Sequence, residues 1–261
     1  MDERPDPDTP TPPPVRLRRE LPIVQLLPNL VTVAAICAGL TAIRFAASGN
    51  FTTAVQLVLV AAVLDGLDGS LARLLKSASA LGAELDSLAD FLNFGIAPAL
   101  LLYFWAFQDM RNLGWIAVVI YALCCVMRLA RFNVGSKADT SDKPASHFEG
   151  VPSPAGALLV MLPLFVSRAL PGLPDIPDMV IGLYMLGVGL LMIGHLPTWS
   201  LKSLTIRREN VRYLYVGFVC FLAALISYPW MTLMLLDLAY LASLLWAWRG
   251  SRRDKAAGAA P

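Results

Sequence analysis

The chain has 261 residues, of which 57% are hydrophobic and 15% charged, with a net charge of +2 at pH 7. At this length such a balance excludes an ordinary soluble domain and describes a multi-span membrane protein. No nucleic-acid partner is expected.

Residues 1–20 are rich in Pro, Asp and Thr and read as a disordered cytoplasmic tail. They lack the small-residue cleavage pattern of a signal peptide. Apolar stretches of spanning length then follow at about 27–47, 52–75, 83–107, 113–132, 153–171, 178–197, 211–228 and 230–248. The expected fold is all-α: a polytopic membrane bundle of about eight transmembrane helices, with residues 21–250 as the transmembrane catalytic domain and 251–261 as a second disordered cytoplasmic tail. Pro152-Ser153-Pro154 reads as a helix start, with Ser153 as the capping residue.

Charge placement supports this count. With both termini on the cytoplasmic side, all of the 21 Lys and Arg except Arg44, Arg111 and Arg168 fall in cytoplasmic segments. The expected location is therefore the cytoplasmic (inner) membrane, spanned several times. The four cysteines, Cys37, Cys124, Cys125 and Cys220, lie within apolar spans at no metal-ligand or disulfide spacing and read as buried, inert thiols. His147 and His195 have no partner pattern. Asp237 sits mid-span in the last helix with no adjacent cation.

The densest chemistry lies between the second and third spans, in the run Asp65-x2-Asp68-Gly69-x2-Ala72-Arg73-x8-Gly82-x3-Asp86-x3-Asp90. Ionisable groups are costly in lipid, so four carboxylates at helical spacing point to a binding site. On a helix Asp65, Asp68, Gly69 and Ala72 share one face, with Arg73 at its edge; Gly82, Asp86 and Asp90 share a face of the next. Two facing carboxylate pairs make an all-oxygen cage suited to Mg²⁺ or Mn²⁺. A short turn at Lys76–Leu81 brings the pairs to similar depth, just below the cytoplasmic surface.

This run resembles the signature of the CDP-alcohol phosphotransferase family at every fixed position. The resemblance implies a six-helix catalytic core, and four aspartates holding two divalent ions, with Asp90 also acting as the base. Thr32, Gly69, Ala72, Arg73 and Gly82 are then assigned to the CDP moiety. Glycines at 69 and 82 suit close approach of a ligand, and Arg73 suits phosphate.

Further segments look like the membrane-integral members of that family that use serine as the acceptor: Leu27–Thr32, Leu85–Ala99, Arg128–Asn133 and Phe148–Ala155. That resemblance implies transfer of a phosphatidyl group from CDP-diacylglycerol to L-serine, with release of CMP, by a homodimer in the bilayer. Asn93 stands where many such members have serine, on the active face. Arg128 and Arg131 are suited to a carboxylate, and Asn133 and Ser153 to orienting the acceptor. Other alcohols (glycerol phosphate, inositol phosphate or choline) remain open as acceptors. An ion-coupled transporter would also place acids in the membrane, but the chain has neither the internal repeats nor the paired broken helices of one.

Overall fold

The computed structural model describes residues 26–77, 79–138, 150–194 and 211–257. Among them are eight helices and no strand: α1 Leu27–Ala47, α2 Phe51–Leu74, α3 Ala80–Ala106, α4 Arg111–Ala138, α5 Ser153–Ala169, α6 Asp178–Ile193, α7 Val211–Ser227 and α8 Pro229–Ala257. Each expected apolar stretch holds a helix among the described residues. Five spans within α1–α4 and α8 are long and apolar enough to cross a membrane alone, while α5, α6 and α7 are shorter apolar helices. The chain is a multi-pass membrane protein. The last helix continues to Ala257, beyond the boundary expected at Gly250. Residues 1–20, His147, His195 and most of the basic loops fall outside the described residues.

α1 and α2 form a close antiparallel hairpin. Gly49 takes the left-handed conformation (φ +81°) that ends α1, and its N–H and that of Asn50 return to the carbonyls of Ala46 and Phe45. Asn50 then caps α2, accepting from Thr53 N–H at 3.2 Å. Small residues let the backbones approach: Ala35, Ala42 and Ala46 are buried on α1, and Ala54 and Ala61 on α2, beside buried Val55 and Val58. Outward-facing Leu40, Val60, Val63 and Leu67 are exposed, as suits hydrocarbon.

Two prolines shape the core, and each is answered by a tyrosine. Pro98 has no N–H to give the carbonyl four residues back, that of Phe94. α3 accommodates it with a wider π turn over Phe91–Ile96, and buried Tyr121 of α4 donates its hydroxyl to the freed Phe94 carbonyl at 3.0 Å. Pro163 inside α5 likewise frees the carbonyl of Leu159, which accepts from Tyr184 of α6 at 2.7 Å. α3 is thereby locked to α4, and α5 to α6.

α8 packs along α5, with Phe165 and Trp230 ring centroids 6.3 Å apart, and buries Leu233, Met234, Asp237 and Leu244. α7 leans on α8 and is exposed along most of its length.

Candidate functional site

α2 and the first part of α3, Ala80–Asp90, are neighbours in sequence yet barely touch, because each packs against α1 instead. Their acidic faces therefore border a gap. The turn between them is built by backbone hydrogen bonds: Ser77 N–H donates to the Ala72 carbonyl at 3.1 Å and Lys76 N–H to Arg73 at 3.3 Å. This six-to-one closure needs a left-handed residue, and Lys76 takes that role at φ +49°. Ser79 then caps α3, accepting from Gly82 N–H at 3.0 Å. Free N–H groups in the first turn of α3 thus stand at the mouth of the gap, where a helix N-terminus favours an anion.

Asp68 is buried at 3% exposure, and one of its oxygens accepts the Thr32 hydroxyl from α1 at 2.5 Å. The carboxyls of Asp65 and Asp90 lie within hydrogen-bond reach of each other, and Asp65 is close enough to Asp86 and Asp68 to feel both charges. All four sequence-selected aspartates are thus neighbours across the gap. Gly69 is exposed, with open space where a side chain would stand, and Ala72 is half-buried beside it. Arg73 is exposed and turns its Nε back to the Gly69 carbonyl at 3.1 Å. A Cβ at Gly82 would come 2.9 Å from Asn29 Oδ1 and 3.1 Å from Ser79 Oγ, so the glycine leaves room for these two polar side chains at the mouth. Asn29, a polar side chain at this mouth, was not among the residues selected from the motif; its position one turn before Thr32 is the signal that marks it.

Of the residues expected to hold the acceptor, Arg128 interacts electrostatically with the acids. It lies near enough to Asp90 for the charges to interact, and its Nη1 donates to Ser153 Oγ. Ser153 is fully buried at the first position of α5, and Pro152 precedes the helix as the capping residue. The expected cap role of Ser153 is therefore corrected: its hydroxyl serves Arg128 and makes no cap hydrogen bond. Arg131 is exposed and donates to the last carbonyl of α6, Ile193, at 2.9 Å, where a cation complements the helix terminus. Asn133 donates to Ser87 of α3 at 2.9 Å. Asn93 is fully buried in the π turn, against α1; a Cβ at Gly39 would collide with its Oδ1, and neither amide atom has a hydrogen-bond partner among the described residues.

The carboxylates suit a hard divalent cation. Asp65 Oδ1 and Asp68 Oδ1 are buried with no hydrogen-bond partner among the described residues, and such orphaned anionic oxygens call for a cation. No three acidic, His or Cys side chains among the described residues already converge on one point. Thr32 holds the second oxygen of Asp68 aside.

Fold and site together define a polytopic membrane enzyme whose acidic centre lies at one end of a helix bundle. The family model for CDP-alcohol phosphatidyltransferase matches residues 25–193, which is α1 to α6, and a second, CDP-alcohol phosphatidyltransferase 2, matches residues 211–244. Among similar proteins are the CDP-diacylglycerol–serine O-phosphatidyltransferases of Mycobacterium leprae (35% identical over 88% of this chain and 76% of the relative) and Mycobacterium tuberculosis (34%, over 88% and 80%). That of Helicobacter pylori is 36% identical over 68% of this chain and 76% of its own. The chain belongs to the CDP-alcohol phosphatidyltransferase family. This membership removes the transporter reading.

Proposed function

We propose that the protein transfers the phosphatidyl group of CDP-diacylglycerol to the hydroxyl of L-serine, giving phosphatidylserine and CMP, at a two-metal site facing the cytoplasm. The gathering of Asp65, Asp68, Asp86 and Asp90 around one gap carries the reading, with the orphaned oxygens of Asp65 and Asp68 as its sharpest mark. The names of the relatives support serine as the acceptor. So does Arg128, whose charge reaches Asp90 and whose planar guanidinium suits a carboxylate.

The four aspartates would hold two Mg²⁺ or Mn²⁺ ions. Bound there, such ions would neutralise the pyrophosphate and the departing phosphate. The chain's own groups do the rest. Gly69 and Gly82 leave room for the CDP moiety, Ala72 keeps the same face low, and the N-terminus of α3 and Arg73 meet its phosphates. Thr32 holds Asp68 in place from behind. Arg128, fixed by Ser153, takes the acceptor's carboxylate and turns its hydroxyl toward the β-phosphorus. Asp90 accepts the hydroxyl proton as the new O–P bond forms, and the bond to the bridging oxygen breaks to release CMP.

The test is CMP release from CDP-diacylglycerol by purified protein, across a panel of L-serine, glycerol phosphate, inositol phosphate and choline, with Mg²⁺ or Mn²⁺ and with chelator. Metal-dependent release with serine alone is expected, and Asp68→Asn and Asp86→Asn should each abolish it while the protein stays monodisperse in detergent. Release that survives chelation, or full activity of either variant at saturating metal, would reject the metal site. Preference for a phosphate-bearing alcohol would reject serine.

A further inference from the structure

α8 carries a buried carboxylate that the chemistry above does not use. Asp237 is 2% exposed in the middle of an apolar helix, and its Oδ2 has no hydrogen-bond partner among the described residues. A carboxylate in that state is among the most costly groups a membrane helix can bury. Tyr184 is close to it, but the proton of that hydroxyl goes to the Leu159 carbonyl that Pro163 has freed. One turn along the same face, the hydroxyl of Tyr240 is also buried without a partner among the described residues, and Tyr240 lies close to Arg128.

The register of the helices sets where these groups stand. Trp230 meets Phe165, and the two helices run antiparallel, so Asp237 is level with about Leu158 and Tyr240 with about Ala155 at ~1.5 Å per residue. Tyr240 is thus within about 3 Å of the level of Ser153, where Arg128 is held within electrostatic reach of Asp90, and Asp237 lies roughly 8 Å deeper than Ser153 and ~4.5 Å deeper than Tyr240. A small amino acid with its carboxylate and ammonium on one carbon bridges a guanidinium and a carboxylate about that far apart, given a hydrogen bond of ~2.9 Å at each end.

We infer that Asp237 is the counter-charge for the ammonium group of the acceptor, while Arg128 and the Tyr240 hydroxyl hold its carboxylate. The inference rests on the serine-acceptor reading and extends it: the last helix then selects an amino-acid acceptor over a plain alcohol. An acceptor without an ammonium leaves Asp237 buried and unpaired, which disfavours it.

Two half-acceptors separate the two ends of the inferred acceptor site. Ethanolamine has the ammonium and hydroxyl without the carboxylate, and 3-hydroxypropionate has the carboxylate and hydroxyl without the ammonium. Each is tested as an inhibitor of phosphatidylserine formation by the full-length protein in detergent. Asp237→Asn should raise the KM for L-serine about tenfold or more, the range for losing a charged hydrogen bond. It should also abolish inhibition by ethanolamine and leave that by 3-hydroxypropionate in place. Tyr240→Phe should show the reverse pattern, with 3-hydroxypropionate weakened several-fold and ethanolamine kept. Asp237→Glu, which keeps the charge but displaces it, should weaken ethanolamine selectively and provides the same reading if Asp237→Asn does not fold. An unmoved serine KM, or an equal loss toward both half-acceptors and CDP-diacylglycerol, would overturn the inference and make Asp237 a structural group. If wild-type protein makes no phosphatidylserine at all, the acceptor reading itself falls and this one with it. That outcome is distinct, because failure of Asp237 alone leaves wild-type serine activity intact.

Discussion

Single residues decide how the acidic site is used. Thr32 stands behind Asp68, and its hydroxyl occupies one oxygen of that carboxylate at 2.5 Å, leaving the other for a ligand. Thr32→Val keeps the shape of the side chain and removes the donor. It should weaken apparent metal affinity about ten- to hundredfold, the usual effect of deleting a group that orients a ligand, and change the KM for CDP-diacylglycerol much less. Titrating activity against Mn²⁺ checks this; an unchanged midpoint would return Thr32 to a helix-packing role. The aspartates themselves are legible from their spacing, since positions three and four apart share a helix face. Their neighbours are less so. Arg131 and Arg128 are equivalent on paper, three residues apart at one helix end. Only packing shows that Arg131 meets the Ile193 carbonyl whereas Arg128 meets Ser153 within electrostatic reach of Asp90.

At the scale of elements, the two proline–tyrosine pairs hold the helices that frame the site. Tyr121→Phe would leave the Phe94 carbonyl buried and unpaired next to the π turn, at a cost of about 1–3 kcal/mol. Thermal unfolding in detergent should reveal the loss. Adding Pro98→Ala should recover part of it, because alanine restores a backbone N–H four residues after Phe94. If the double variant is no more stable than Tyr121→Phe alone, the hydroxyl is not substituting for the missing donor. The eight helices are readable in the sequence because long apolar runs are local signals. The π turn is not, since Pro98 alone is compatible with a kink or a break; its form depends on Tyr121, on another helix.

For the whole molecule, the expectation that can be checked directly is sidedness. The end of α4, the start of α5 and the end of α6 are drawn to one end of the bundle by the Arg131–Ile193 contact and by Val151 N–H donating to the Leu191 carbonyl at 3.4 Å. In sequence the basic residues cluster in the segments that follow α2, α4 and α6, so loops 76–81, 133–152 and 198–210 should all be cytoplasmic. Single cysteines placed there, in a background lacking the native four, should resist impermeant reagents applied to intact cells. Labelling of the 133–152 loop from outside would invert the topology and put the acidic gap on the other face.

Apolar run lengths, the spacing of four aspartates and the distribution of positive charge are properties of short stretches of chain, and these by themselves determined a helical membrane protein, its helix count and the residues of its acidic motif. Tertiary structure decided which polar groups meet across helices: Thr32 with Asp68, Arg128 with Ser153, Asn93 against Gly39, and Asp237 enclosed without a partner among the described residues. Such pairings join positions tens of residues apart, and in a bilayer every buried polar group strongly favours whatever partner packing brings within reach. That choice depends on helix register and on small residues outside the motif such as Gly39, which no local pattern encodes.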